Sequence, residues 1–105
     1  MSTLRVNEDN NVVLTGLRYA YSGVYINSAT VTAVVKTTAG AVLVASFTLS
    51  YQAGTDGDYV GVINKGDAAN FTDGTSYWVE VTVTVGEYDG FRRVSATAKY
   101  HGATP

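Results

Sequence analysis

The sequence has no cysteine and very little proline, histidine or charge. Its 105 residues include one Pro, one His and no Cys. The absence of Cys excludes disulfides, thiolate nucleophiles and cysteine-ligated metal sites together. A small domain without these supports must be held by its own packing or by assembly with neighbouring chains.

Positive charge is too sparse to hold a polyanion. The chain has seven Lys and Arg residues and nine Asp and Glu residues, and only Arg92-Arg93 forms an adjacent basic pair. We therefore expect no nucleic acid partner. The chain also lacks an apolar run long enough to span a bilayer, and its first residues, MSTLRVNEDNN, lack the charged-then-apolar order of a secretory signal. We therefore expect that the protein is made in the cytoplasm and does not associate with a membrane.

The strongest pattern in the chain runs from Tyr77 to Tyr100. Its first half, YWVEVTVTV, alternates with the period of a half-buried strand, so that Glu80 and its even-numbered neighbours face outward. The second half, FRRVSATAKY, alternates more weakly. Between the halves, Asp89-Gly90 can adopt the positive φ angles of a tight turn, which predicts an antiparallel hairpin that turns there.

Several further short strands are predicted, with a turn about every ten residues. They cover residues 12–17, 29–37, 42–51 and 59–63, and residues 67–70 could form one helical turn. Such spacing predicts an all-β sandwich, with Val31, Val35, Phe47, Leu49, Val79, Val81 and Val83 in one core. We divide the chain into an N-terminal arm (1–11), one sandwich domain (12–101) and a C-terminal tail (102–105).

The segment FTDGTSYWVEV, residues 71–81, resembles the turn into the penultimate strand of fibronectin type III and related immunoglobulin-like domains. In that resemblance Tyr77 is the corner tyrosine, with a buried ring and a hydroxyl that returns to nearby backbone. Two features depart from the pattern, because the early strands carry no Trp and the chain has no Cys pair. The resemblance implies an immunoglobulin-like antiparallel β-sandwich of about seven strands.

The order of segments along most of the chain also resembles the small immunoglobulin-like proteins of tailed bacteriophages. The segments are LTGL, NSATVTAVVKTTAG, DGDYVGVI and DGTSYWVEVTVT. This resemblance implies a non-enzymatic structural protein, made in the host cytoplasm and located in the virion. A capsid decoration protein that binds the major capsid protein is favoured, and a tail, neck or baseplate component is the alternative.

The candidates for chemistry are few, and each has a simpler structural interpretation. His101 is the only His and has no nucleophile or second ligand beside it. Residues 8–10 and 56–58 offer oxygens for Ca²⁺ but lack the spacing of an EF-hand loop. Glu80 could pair with Glu87 or Asp89 for glycoside hydrolysis, yet no pocket-forming insertion accompanies them. We expect no catalytic residue, no cofactor and no metal.

Aromatic residues are the remaining candidates for binding. Three of the eight Tyr lie close together in the chain, and the alternation places Trp78 on an outer face. Such residues can pack in the core, anchor a protein interface or stack on sugars, and these alternatives stay open. The candidate interface residues are Tyr19, Tyr21, Tyr25, Trp78, Leu4 and Val6. Their expected partners are copies of the chain in a homo-oligomer, other virion proteins or a carbohydrate.

Overall fold

Seven strands and one short helix form the described part of the chain. The computed structural model describes residues 3–19, 22–86 and 88–99. The elements are β1 (Thr3–Arg5), β2 (Asn10–Leu14), β3 (Thr30–Thr37), β4 (Val42–Tyr51), β5 (Tyr59–Ile63), α1 (Lys65–Ala68), β6 (Ser76–Val85) and β7 (Tyr88–Lys99). The helix found within those ranges, α1, is far too short to span a bilayer. The predicted all-β class is confirmed.

The strands form one sheet in the order β1-β7-β6-β3-β4-β5-β2, which curls until it nearly closes into a barrel. β1, β7, β6, β3 and β4 make the larger layer, and β2 and β5 make the smaller one. The end of β4 joins the layers by pairing Ser50 with Val60 and Tyr51 with Tyr59. The pairings of β2 with β5, of β3 with β6 and of β6 with β7 are antiparallel, as expected of an all-β sandwich.

The core between the layers is built by strand alternation. Val31, Val35, Leu49, Val79, Val81 and Val83 are all buried in one cluster, and Phe47 packs against it half-buried. The Tyr77 ring is also buried, and its hydroxyl accepts a hydrogen bond from the Thr72 N–H at 2.8 Å. The predicted core is therefore confirmed, and so are the predicted burial of the Tyr77 ring and the predicted hydrogen bond between its hydroxyl and nearby backbone.

The β6–β7 hairpin is present, but its predicted turn is wrong. Val85 pairs with Tyr88, so the chain reverses between them, and Gly86 supplies a φ of 58°. Asp89 and Gly90 lie inside the ladder opposite Thr84 and Val83. A two-residue loop with a positive φ suits the twist of paired strands, and Gly86 can adopt it without strain.

The predicted face of β4 is wrong over its first half. The alternation of residues 42–51 predicts that one side carries Leu43, Ala45, Phe47, Leu49 and Tyr51, whereas Val44 is buried and Ala45 is exposed. The pairing of β3 with β4 shifts register between Ala33 and Lys36, which marks bulges. An extra residue in one strand reverses the alternation on its far side.

The described residues 3–11 belong to the sandwich and are not a separate arm. β1 pairs in parallel with the end of β7, which is the exception to an otherwise antiparallel sheet. Leu4 is 0% exposed and Val6 is 3% exposed. The boundary predicted after residue 11 is therefore wrong, because two apolar residues spaced two apart suffice to bury one side of a short strand. The predicted tail, 102–105, lies outside the described residues.

Candidate functional site

The outer face of the larger layer carries a charged cluster centred on Glu80. Glu80 is only 5% exposed although the alternation points it away from the core. Its Oε1 lies 2.8 Å from Lys36 Nζ, and its Oε2 accepts hydrogen bonds from Arg93 Nε at 3.0 Å and Nη2 at 2.6 Å. Glu80 points away from the core, as predicted, but it is not exposed to solvent. The long side chains of Lys36 on β3 and Arg93 on β7 cover it.

These contacts keep Glu80 ionised. The hydrogen bond from Lys36 lowers the pKa of Glu80 most, and the hydrogen bonds from Arg93 lower it further, against an opposing effect of burial. Both carboxylate oxygens are held by cations of the same chain. The cluster therefore links the neighbouring strands β3, β6 and β7 on the outer face of the sheet, where no apolar core packs against them.

The carboxylates considered for glycoside hydrolysis are not brought together. Glu80 pairs with Arg93, whereas Asp89 pairs with Thr84. Four residues along a strand separate the two backbone positions by about 13 Å, and both oxygens of Glu80 are held by Lys36 and Arg93. Glu87 lies outside the described residues.

The loop between β2 and β3 is held in place by hydrogen bonds to Tyr59 of β5 and to Gly57 just before it. The Tyr59 hydroxyl donates to the Ile26 carbonyl at 2.7 Å and accepts from the Ala29 N–H at 3.1 Å. The Asn27 Oδ1 accepts from the Gly57 N–H at 2.8 Å, and the Leu17 N–H donates to the Gly57 carbonyl at 2.9 Å. These bonds fix the part of the loop that carries Tyr19 and Tyr25.

An apolar cleft of about 450 Å³ opens between this loop and the β6–β7 hairpin. Its floor is apolar, with leucine and isoleucine side chains beside two valines of β6, and its rim is more polar. The lining includes Leu14, Leu17, Ile26, Val81 and Val83 on the floor, and Arg18, Tyr19, Asp89 and Arg92 at the rim. A concave apolar surface with a few polar groups at its edge is the usual form of a ligand pocket.

The predicted interface residues do not form one surface. Tyr19 and Tyr25 lie beside the start of β3, where Thr30 pairs with Thr84. Trp78 is six residues away along β6, a separation of about 20 Å. Leu4 and Val6 are core residues, so their assignment to an interface is wrong for the folded domain. Tyr21 lies outside the described residues.

The oxygens considered for Ca²⁺ hold turns of the chain. Asp9 Oδ1 accepts from the Lys65 N–H at 2.7 Å, and Asn10 Oδ1 accepts from the Arg5 N–H at 2.6 Å. Asp58 Oδ1 accepts from the Gly16 N–H at 3.0 Å. Within residues 3–19, 22–86 and 88–99, no group of three or more His, Cys, Asp or Glu could hold a metal ion. His101 lies outside these ranges.

The sequence reasoning missed an exposed apolar patch on the outer face of β2 and β5. We call it the valine patch: Val13 and Val62 are 51% and 45% exposed, and half-buried Val60 pairs directly with Val13. The neighbouring outward residues Asn11 and Ser50 are uncharged. The segment YVGVI, residues 59–63, gave the available signal, since a strand that faces water on one side normally alternates with polar residues.

Comparison with protein-family models, curated proteins and solved structures finds no match to this chain. Three features of the described structure are therefore the candidates for function. They are the valine patch, the apolar cleft and the outer face around Glu80. The valine patch is the most unusual of the three, because the outer face of a solvated sheet normally carries polar residues.

Proposed function

We propose that this chain is a non-enzymatic structural protein of a bacteriophage virion, and that it decorates the capsid by binding the assembled shell. The valine patch is the observation that carries the binding part of this proposal. Flat β-branched side chains with uncharged cross-strand neighbours, here Asn11 and Ser50, fit the apolar centre of a protein interface. The resemblance of the segment order to small phage proteins supports the virion as the location, and the major capsid protein is the proposed partner.

The valine patch is well placed to dock without disturbing the core. Val13 and Val62 lie on the outer face of the smaller layer, while Val12 and Ile63 beside them point inward and are buried. The patch can therefore be altered while the inward residues keep the fold. This arrangement allows a direct test by substitution.

The experiment is co-sedimentation with capsids from the native source. Wild-type protein should pellet with shells in a fixed ratio to the major capsid protein, and Val62→Asp should abolish pelleting because a carboxylate would be desolvated in the contact. Thr82→Asp, on the outer face of the larger layer, is the matched control and should still pellet. Failure of the wild-type protein to pellet, or equal pelleting of both variants, would contradict the proposal.

A carbohydrate-binding module is the second candidate, and the cleft favours it. Tyr19 lines the cleft, and Tyr25, 43% exposed, is on the same loop. Trp78 is a poorer stacking platform, because Arg93 already occupies one side of its ring. Titration with soluble glycans, followed by NMR shifts of the residues that line the cleft, tests this function. Shifts confined to the cleft support it, and an unchanged spectrum rejects it.

A further inference from the structure

One long strand of the sheet has a free edge over most of its length. β7 pairs with β6 along one side, but on the other side β1 covers only Thr97 to Lys99. No other strand in the described ranges pairs with that side of β7. The uncovered part includes Phe91, whose side chain is 63% exposed, more than that of any other large apolar residue described.

The hydrogen bonds at the end of β7 show which backbone groups face the free edge. Ala98 donates to Thr75 and accepts from Gly74 on the β6 side, whereas the Lys99 carbonyl accepts from Val6 on the β1 side. The β6–β7 register is continuous, so the same alternation extends back along the strand. The N–H and C=O groups of Asp89, Phe91 and Arg93 therefore point to the free edge.

We propose that this edge pairs antiparallel with the β7 edge of a second copy of the chain, about a two-fold axis at Phe91. Phe91 then faces Phe91 of the second copy, and Asp89 faces its Arg93. Each opposed residue exchanges both of its backbone hydrogen bonds, because the groups that point outward on one strand meet those of the other. A two-fold axis makes the contact self-complementary and limits it to two chains.

Charge selects this register over its neighbours. An axis at Arg92 or at Arg93 would set like arginines directly opposite each other, which is destabilising. An axis at Gly90 would set Phe91 against the Asp89 carboxylate. Only the axis at Phe91 opposes unlike charges twice and also pairs the exposed aromatic rings.

The side chains around the axis fit the proposed contact on both faces of the sheet. Arg93 uses Nε and Nη2 for Glu80, which leaves Nη1 for Asp89 of the second copy. On the inner face, Arg92 of one chain meets Gly90 of the other, where the missing side chain leaves room. Gly90 and Arg92 also line the mouth of the apolar cleft, so the second copy would cover that mouth.

The competing account is that Arg92 and Arg93 protect a lone edge strand from association, as charged residues often do. Sedimentation equilibrium combined with amide hydrogen exchange separates the two accounts, at concentrations from roughly 20 µM to 1 mM for a weak edge contact. We expect a dimer at high concentration, with amides of Asp89, Phe91 and Arg93 gaining protection. Amides of Gly90, Arg92 and Val94 should be protected throughout, since they face β6.

Two substitutions with matched controls complete the test. Asp89→Lys should weaken dimerisation by roughly tenfold or more, because two attractive pairs become repulsive, and Asp56→Lys makes the same charge change in a distant loop without effect. Phe91→Ala should weaken dimerisation, and Val62→Ala should not. Protection of the β6-facing amides verifies that each variant is folded.

The proposal is overturned if the protein stays monomeric over the whole concentration range. That result would support the account in which the arginines protect a lone edge strand. The proposal is equally overturned by a dimer whose Phe91 and Arg93 amides exchange freely, since that dimer would use another surface. Shell binding depends on the valine patch and not on this edge. Either proposal can therefore fail without the other.

Discussion

The guanidinium carbon of Arg93 lies 4.9 Å from the centroid of the Trp78 ring. The same guanidinium donates to Glu80 through two nitrogens, so one side chain connects the aromatic ring to the buried carboxylate. A cation over an indole face and a forked contact to a carboxylate both fix the planar group. The arrangement explains how Glu80 is tolerated on the outer face with so little exposure.

Replacing Glu80 with Gln should destabilise the domain. The neutral amide would leave Lys36 and Arg93 close to each other without the charge that holds them. Thermal unfolding should show a lower midpoint for Glu80→Gln than for the wild type. Glu8→Gln, the same chemical change away from this cluster, is the control and should leave the midpoint nearly unchanged. Equal midpoints for all three proteins would contradict the structural role of Glu80.

The stabilising effect of Glu80 should disappear in acid. Lys36 first and Arg93 second lower the pKa of Glu80 from its ordinary value of 4.5. A carboxyl whose pKa is lower in the folded state contributes its full stability above the unfolded-state pKa, and loses it as the pH falls through the folded-state pKa. The difference in unfolding free energy between wild type and Glu80→Gln should be constant near neutral pH and should shrink below pH 4.5. A difference that grows in acid would have the wrong sign.

Tyr59→Phe should loosen the loop between β2 and β3. The change removes the hydroxyl that bonds Ile26 and Ala29, and leaves their backbone groups without that partner. We expect a loss of about 2 kcal/mol in unfolding free energy, since each unmet buried group costs about 1 kcal/mol or more. Chemical denaturation measures the loss, and Tyr25→Phe on the exposed part of the loop should cost almost nothing. If only Tyr25→Phe lowered the unfolding free energy, the Tyr59 hydroxyl would not be the group that holds the loop.

Gly57→Ala should be much more harmful than Gly54→Ala. Both glycines have a positive φ, 74° and 82°, so both substitutions carry the same kind of backbone strain. An added Cβ at Gly57 would overlap the backbone of Leu17, whereas at Gly54 it meets open space. We expect Gly54→Ala to cost about 1 kcal/mol from backbone strain and Gly57→Ala to cost clearly more. Denaturation of the two variants side by side provides the comparison.

Leu4→Ala should cost about 2 to 5 kcal/mol, the range for a large side chain removed from a packed core. Leu4 is fully buried where β1 meets β7. The matched control is Thr3→Ala, at a half-buried neighbouring position. Unchanged denaturation of Leu4→Ala would restore the interpretation of residues 1–11 as a separate arm.

Much of the strand arrangement could be predicted from local pattern. The predicted bounds of β4 and β5 match the observed strands, and the Tyr77 hydroxyl bonds nearby backbone as predicted. The binding surfaces could not be predicted in the same way. Val62 and Phe91 differ little in local sequence from residues that are covered, and their exposure depends on which strands lie beside them.

The class of the fold could be predicted from the order of residues alone, because the side-chain period of a strand is visible there and decides which face can be buried. Three further features depend on the folded arrangement: the turn at Gly86, the bulges that change the buried face of β4, and the pairing of β1 with just the end of β7. The contacts of Lys36 and Arg93 with Glu80 likewise form only when the three strands that carry them come together. Each of these outcomes depends on the register between distant segments, and no local window of sequence specifies that register.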